Sequence, residues 1–147
     1  MGAFYQWNRK VSWSATDPMI NSDGGNMWDR SHAEGDTWEA VNDPCPPGWR
    51  VPTFSEFESL ENAGSQWTTI NGVNGRIFGS NNLLFLPAAG SRYYDNGMRS
   101  GVGTYGVYWS SSVIEGSAFN FSFGDTGIGF GTSNHRALGL SIRCVAE

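Results

Sequence analysis

A proline-rich segment at residues 43–53 constrains the fold of this chain more than any other feature. It contains a Gly-Trp pair, one cysteine and four prolines, which are Pro44, Pro46, Pro47 and Pro52. Proline lacks a backbone N–H and has a fixed φ, so this segment cannot be a helix or a central strand. It is therefore predicted to be a stiff connector that buries its aromatic residue, Trp49, and ends where a helix begins.

The two cysteines, Cys45 and Cys144, bracket about two thirds of the chain. A bridge between them would close a loop of roughly 100 residues, which the chain-entropy model values at up to about 4–5 kcal/mol. The alternative is two buried thiols, because free cysteine packs as a small hydrophobic residue. The spacing excludes a Cys-x-x-Cys metal site.

Composition narrows the classes of function. The 147 residues fit one domain, with 20 glycines, 14% aromatic residues and only 16% charged residues, so many turns, short strands and an aromatic core are predicted. A net charge of −5 argues against nucleic-acid and anionic-membrane partners, since both need a basic surface. No apolar run approaches about 18 residues, so no membrane insertion is expected. No signal-peptide pattern is visible at the N-terminus.

Local patterns predict one clear helix and several short strands. Thr53 and Glu56 have the spacing of a capping box, and Gly64 suits a helix stop, so a helix is expected over residues 54–63. Residues 3–14 alternate aromatic and polar types and predict a strand. Further strands are predicted at 66–69, 75–78, 83–87, 105–111, 118–123, 126–130 and 139–145. The loop from Gly90 to Gly106 is too long for a hairpin turn, and loops of this length are usually functional.

Five blocks of the sequence occur in an order that resembles a known family. They are residues 3–9, residues 43–53 with the following Glu56, Phe57 and Leu60, residues 85–92, residues 108–112, and residues 140–145. The chain resembles the Fibrobacter succinogenes major paralogous domain from about residue 3 to residue 145. The blocks at 43–53 and 108–112 are the most specific part of the likeness.

The resemblance implies one α+β domain over residues 3–145 with a C-type-lectin-like fold. Such a fold has small twisted antiparallel sheets, long loops and termini that lie close together, and a Cys45–Cys144 pairing fits it. The family is displayed on cell surfaces, in adhesins and in appendage tips. Some members are variable proteins of diversity-generating retroelements. An extracellular, cell-surface or virion-surface location is therefore expected, with a protein or glycan ligand on another cell or particle.

The C-terminal region from Ser112 to Leu138 is the first candidate ligand surface. Alternation over residues 118–123 predicts that Phe119, Phe121 and Phe123 face the core, which leaves Asn120 and Ser122 exposed. In the following glycine-spaced stretch, Ile128 and Phe130 fit either a strand with two core residues or an exposed surface that faces a ligand. The residue types over 113–137 are compatible with a diversified segment and are also common in surface loops.

Tyr93, Tyr94, Asp95 and Asn96 form the second candidate surface, because paired tyrosines offer rigid contact area and Asp and Asn offer directional hydrogen bonds. The alternative is that the two tyrosines cover the core. The full set of candidate ligand-binding residues is Tyr93, Tyr94, Asp95, Asn96, Val113, Ile114, Glu115, Asn120, Ser122, Asp125, Ile128, Phe130, Asn134 and His135.

The remaining aromatic and basic residues are assigned to the framework. Core positions are predicted for Trp7, Trp49, Trp67, Tyr108 and Trp109, and internal pairing or carbonyl contacts for Arg50, Arg92 and Arg143. No cofactor is expected: Asp95, Asn96, Glu115 and Asp125 could supply oxygen ligands, but no calcium-loop spacing supports them.

Three functions are open on the sequence. The favoured one is a non-enzymatic binding module, and the second is a structural or tip domain of a surface appendage. The third is an enzyme, for example of the formylglycine-generating branch of this fold, which needs two reactive cysteines close together in its site. Here both cysteines lie in framework blocks, and no nucleophile or phosphate-loop motif is present, so no catalysis is expected.

Overall fold

A computed structural model describes residues 2–129 and 133–147. It contains one α-helix, α1 (Phe54–Asn62), and a short 3₁₀ turn at Ala40–Asn42. The strands are β1 (Phe4–Tyr5), β2 (Ser12–Trp13), β3 (Trp49–Arg50), β4 (Ser65–Ile70), β5 (Val73–Phe78), β6 (Leu84–Pro87), β7 (Ser91–Arg92), β8 (Arg99–Ser100), β9 (Tyr105–Ile114), β10 (Ser117–Gly124), β11 (Ile128–Gly129), β12 (Ser133–Asn134) and β13 (Val145–Ala146). This is an α+β architecture of small antiparallel sheets.

Helix α1 begins at the predicted capping box. The Thr53 hydroxyl accepts a hydrogen bond from the Glu56 N–H at 3.3 Å, and the Glu56 carboxylate accepts one from the Thr53 N–H at 2.8 Å. The Glu56 carboxylate also pairs with Arg50 at 2.6 Å, and this contact lowers the pKa of Glu56 to about 2. Gly64 follows the helix with a φ of +81°, which suits a glycine stop. The helix prediction is confirmed to within one residue.

The central sheet is the β9–β10 hairpin, with β11 and β12 paired along the other edge of β10. One face carries Tyr108, Phe121 and Phe123, which pack with residues of α1 and β5. The opposite face carries Val107 and Trp109, which pack with Trp7, Trp38, Ala118 and Leu140. The sheet is therefore buried from both sides over much of its length.

A second sheet, β4-β5-β6, lies with α1 over the first face of the central sheet. Its strand order is sequential, and the predicted strands at 66–69, 75–78 and 83–87 are confirmed within a few residues. The prediction of one strand over 3–14 is wrong, because Asn8 adopts a left-handed φ of +56° and the chain turns back, so β1 pairs with β2. Between residues 139 and 145, isolated bridges precede the short β13.

The Cys45–Cys144 disulfide is present, with an S–S distance of 2.06 Å. It lies beside the β3–β13 pair, in which Val145 faces Arg50 and Ala146 faces Trp49. The proline-rich segment is thereby joined covalently to the last strand. This arrangement resolves the choice between a bridge and two free thiols.

The prediction of a buried Trp49 is wrong, since 47% of the residue is exposed. Successive side chains of a strand point to opposite faces. In β3 the Arg50 side chain turns to Glu56 on α1, so Trp49 faces outward. Burial is confirmed for Trp7, Tyr108 and Trp109. Trp67 is half-buried and packs against the core residues between α1, β5 and the central sheet.

Arg92 confirms its predicted internal role. The residue is 1% exposed, and its guanidinium donates to the carbonyls of Ser14, Thr16 and Gly97 at 2.7–3.0 Å. Arg50 pairs with Glu56 as described above. The prediction for Arg143 is wrong: it lies at the surface, and no described residue offers it a hydrogen bond or ion pair.

Candidate binding surface

Four exposed rings from three separate segments form an aromatic patch, defined as His32, Tyr93, Tyr94 and His135. The Tyr94 and His135 rings stack at a centroid distance of 4.5 Å and an angle of 13°. Tyr93 lies 4.5 Å from Tyr94, and His32 meets His135 edge-on at 5.5 Å. Tyr93 is 46% and Tyr94 37% exposed, so ring surface remains available to a ligand.

The loop that carries Tyr93 and Tyr94, called the tyrosine loop, is fixed by hydrogen bonds to its backbone. The Trp28 indole N–H donates to the Tyr94 carbonyl at 2.9 Å. The backbone of Arg92 exchanges two hydrogen bonds with Gly139, at 2.8 and 3.0 Å. These contacts fix the loop beside the segment that begins at His135, so the two candidate surfaces predicted from the sequence meet at the Tyr94–His135 stack.

The position of His32 depends on the buried Arg136. The Arg136 guanidinium donates to the carbonyls of Ala33 and Gly35 at 2.9 and 2.7 Å. It also lies 4.3 Å from the Trp7 ring centroid, in cation–π geometry. Because Arg136 follows His135 and Ala33 follows His32, this one side chain brings the two histidines together.

His135 is held in its neutral form by its surroundings. Its Nδ1 accepts a hydrogen bond from the Ala137 N–H at 3.1 Å, which requires an unprotonated Nδ1. Partial burial lowers the pKa of His135, and the neighbouring His32 lowers it further. At neutral pH His135 therefore presents an uncharged ring to the patch.

Asp95 and Asn96 lie at the edge of the aromatic patch. Asp95 forms an ion pair with Arg30 at 2.9 Å, in which both side chains are largely exposed. The Asn96 side chain accepts a hydrogen bond from the Met98 N–H at 2.9 Å and so shapes its own loop. Asp95 thus borders the surface with a solvated charge, whereas the Asn96 oxygen is engaged in the turn.

An open cavity of about 770 Å³ lies on the face of the central sheet that carries Val107. Val107, Ser122 and Gly129 are register partners across β9, β10 and β11 and form its floor. Ser91, Leu138 and Leu140 supply a wall. Ser91 precedes the tyrosine loop and Asn134, which also lines the cavity, precedes His135, so the cavity and the aromatic patch adjoin.

The predicted exposure of Asn120 is wrong, because the residue is 1% exposed, and Ser122 is half-buried. The reason is that both faces of β10 are covered, which an alternating pattern cannot reveal. Core positions are confirmed for Phe121 and Phe123, whereas Phe119 is half-buried and stacks on Phe54 at 4.8 Å. A register shift between Ala118 and Asn120 accompanies this difference.

The glycine-spaced stretch is only partly exposed. Ile128 is half-buried, pairs with Phe123 and packs against the cluster of Phe57 and Phe78 while also lining the cavity. Asp125 is exposed in the turn after β10. Phe130 lies outside the described residues.

The tip of the β9–β10 hairpin adjoins β12, because Ala118 pairs with Val113 on one side and with Asn134 on the other. Ile114 is 42% exposed, Glu115 is exposed in the turn, and Val113 is half-buried against the core residues that include Trp7, Trp38 and Trp109. Arg136, which follows His135, donates to the Ser117 carbonyl at 3.3 Å. The tip therefore lies at the same end of the central sheet as the segment that carries His135.

Sequence reasoning missed five residues of this surface: Arg30, His32, Ser91, Tyr105 and Leu138. Ser91 belongs to a block that was assigned to the framework. His32 sits in an irregular loop without a motif, and no local signal pointed to its contact with His135. Their roles depend on contacts between distant segments.

Comparison with models of known protein families, with characterised proteins and with solved structures yields no match for this chain. Within residues 2–129 and 133–147, no cluster of three or more His, Cys, Asp or Glu side chains could hold a metal ion. In the same residues, no helix has the length and apolar character needed to cross a membrane. The disulfide is compatible with an extracellular location.

Proposed function

We propose that this chain is a non-enzymatic ligand-binding module with a C-type-lectin-like fold that works at a cell or virion surface. Its binding surface is the aromatic patch of His32, Tyr93, Tyr94 and His135 together with the adjoining cavity. The ligand is a protein or a glycan on another cell or particle. One observation carries the proposal: the Tyr94–His135 stack unites two loops into a half-exposed aromatic surface beside an open cavity.

The chemistry of the patch supports recognition. Tyrosine presents a large amphipathic ring with few rotatable bonds, so it loses little conformational entropy on binding. Aromatic residues are also enriched among the residues that dominate binding energy. Tyr93 and Tyr94 keep 46% and 37% of their surface exposed although they contact other rings, which is an arrangement ordered before the ligand arrives.

The framework supports the same proposal because it is fixed independently of that surface. The disulfide, the buried Arg92 and the buried Arg136 hold the loops through backbone carbonyls and a covalent link. Exposed side chains of the patch contribute little to this network. Substitutions in the patch are therefore expected to change binding without unfolding the domain.

The proposal extends to diversification by a retroelement, in which residues 113–137 would be the variable segment. Its exposed members, such as Ile114, Glu115 and Asp125, could change without loss of core packing. The neighbouring genes test this point. A reverse-transcriptase gene with an adenine-rich template copy of the 3′ coding end is expected nearby.

Exposed Trp49 favours a second candidate, a structural or tip domain of an appendage. Trp49 is 47% exposed on the two-stranded β3–β13 sheet, and an exposed tryptophan on such an edge suits a neighbouring subunit. This role predicts oligomers of the isolated domain. A monomer in size-exclusion chromatography coupled to light scattering would count against this structural role.

The binding proposal is tested on a mixed array of glycans and extracellular proteins probed with a tetravalent form of the domain. Wild type is expected to bind a defined subset of spots. The Tyr93→Ala/Tyr94→Ala variant is expected to lose that signal with an unchanged melting temperature. Leu83→Ala, which removes a side chain that is 79% exposed elsewhere, is the matched control and should bind like wild type. Absence of any wild-type signal refutes the proposal.

A further inference from the structure

The cavity beside the aromatic patch has a wall chemistry that restricts its ligand. Among the described residues that line it, none is Asp, Glu, Lys, Arg or His. Burying an ion without a partner charge is strongly unfavourable, so this cavity disfavours charged groups. The surroundings differ, because the charged pair of Arg30 and Asp95 lies at the adjoining patch.

We propose that this cavity receives a neutral saccharide ring of the ligand, without a metal ion. The inference rests on the proposed binding function and names the chemical class that its cavity takes. A pyranose ring combines several hydroxyl groups with an apolar C–H face, so it needs neutral hydrogen-bonding groups and apolar surface side by side. The cavity volume of about 770 Å³ falls within the range of small-molecule sites.

The polar groups of the cavity are hydroxyls and amides. The Ser91 and Tyr105 hydroxyls lie 3.2 Å apart at one wall, and each can still accept or donate a further hydrogen bond. The Ser122 hydroxyl on the floor donates to the Gly129 carbonyl at 3.3 Å and keeps lone pairs that can accept. Asn134 lines the cavity from β12.

Apolar surface alternates with these groups. Val107 is the register partner of Ser122 on the floor, and Leu138 and Leu140 face the same space. A hydroxyl beside an aliphatic side chain matches the edge and the face of a sugar ring. An extended peptide would instead seek unpaired backbone groups at a sheet edge, whereas the floor here is a sheet face whose strand β10 is paired on both sides.

Two glycines keep the floor open. A Cβ at Gly124 would contact only the Thr104 carbonyl oxygen, at 3.6 Å, so a larger side chain is tolerated there. Because Gly124 lines the cavity, that side chain would occupy part of it. A Cβ at Gly129 would approach the Ser122 hydroxyl at 2.5 Å and displace it. The end of β10 is anchored by Arg76, which donates to the Gly124 carbonyl at 2.9 Å. Gly124→Val is therefore a substitution that fills the cavity and preserves the sheet.

The test is a titration of ¹⁵N-labelled protein followed by amide chemical shifts. The probes are the methyl glycosides of glucose, galactose and mannose, the charged sugars glucuronate and glucosamine, and an N-acetylated, C-amidated Gly-Ser-Gly peptide. At least one neutral glycoside is expected to shift the Ser122, Gly124 and Asn134 resonances saturably. Gly124→Val should weaken that binding at least about tenfold, while the control Gln66→Val, at an exposed position of β4, should not.

Three results would overturn the inference: no neutral glycoside shifts these resonances, a charged sugar binds as tightly, or only the peptide binds. If Gly124→Val fails to fold, Gly129→Ala replaces it, with the same expected loss. Failure of this inference is distinguishable from failure of the proposed function. Array binding that depends on Tyr93 and Tyr94 without any glycoside response rejects only the neutral-sugar cavity, whereas a silent array rejects the binding function itself.

Discussion

Removal of the disulfide is expected to produce the largest change in stability that the framework predicts. The bridge joins residues 99 positions apart and so restricts most of the unfolded chain. For a loop of about 100 residues the chain-entropy model gives about 4.7 kcal/mol at 25 °C. With an unfolding entropy of about 2.1 cal/mol/K per residue, that loss corresponds to a drop in melting temperature of about 15 °C for a chain of this length.

The assay is urea unfolding of Cys45→Ala/Cys144→Ala, followed by the fluorescence of the buried tryptophans. Wild type treated with a reductant is the matched control and should lose the same free energy of unfolding. The double alanine variant should not respond to the reductant. A loss below about 1 kcal/mol would refute the reasoning, because it would mean that the bridge constrains little of the unfolded ensemble.

Three further predictions concern the framework and the patch. Arg92→Met should lower the free energy of unfolding by about 3 kcal/mol, because the buried carbonyl of Gly97 and the partly buried bonds to Ser14 and Thr16 lose their charged donor. Equal stability of variant and wild type in denaturant would contradict this. Thr53→Ala should cost about 1 kcal/mol through the lost helix cap, measured in the same way, with Ser55→Ala as a control outside the cap. The pKa of His135 in the folded protein lies below its ordinary value of 6.5, so its contribution to stability is complete above pH 6.5 and is lost as the pH falls through the folded pKa. The melting temperature of His135→Asn should therefore fall less than that of wild type between neutral and acidic pH. An equal fall for the two proteins would contradict the assignment.

Local features of this chain could be predicted from the sequence. The capping box of Thr53 and Glu56 needs only a three-residue spacing, and the structure contains it. The alternation that placed Phe121 and Phe123 in the core also held, because one face of β10 packs on α1 and β5. Such signals depend on neighbours within a few residues, which is why they can be inferred locally.

The errors arose where burial depends on distant segments. Trp49 is predicted to lie in the core, yet its strand pairs with β13 at the surface. Asn120 was expected to be exposed, but the face of β10 that carries it is covered as well. A period of two identifies two faces of a strand and cannot say whether the second one meets water.

The candidate surface shows the same limit. Both tyrosines and His135 were chosen from the sequence, on separate grounds and in separate segments. Their stacking depends on the Arg92–Gly139 backbone pairing and on the buried Arg136, neither of which leaves a local pattern. His32 and Tyr105 joined the surface for the same reason. Residue types therefore indicated the chemistry, while long-range contacts determined the site.

The central claim is that a fixed framework presents a recognition surface whose exposed rings bind a ligand and contribute little to stability. The dissociation constant of Tyr93→Ala/Tyr94→Ala, relative to wild type, for the strongest ligand on the array tests this claim most directly. The constant is expected to rise at least about tenfold, equivalent to about 1.4 kcal/mol, with the free energy of unfolding unchanged. A dissociation constant that stays at the wild-type value, with the variant folded, would contradict the account.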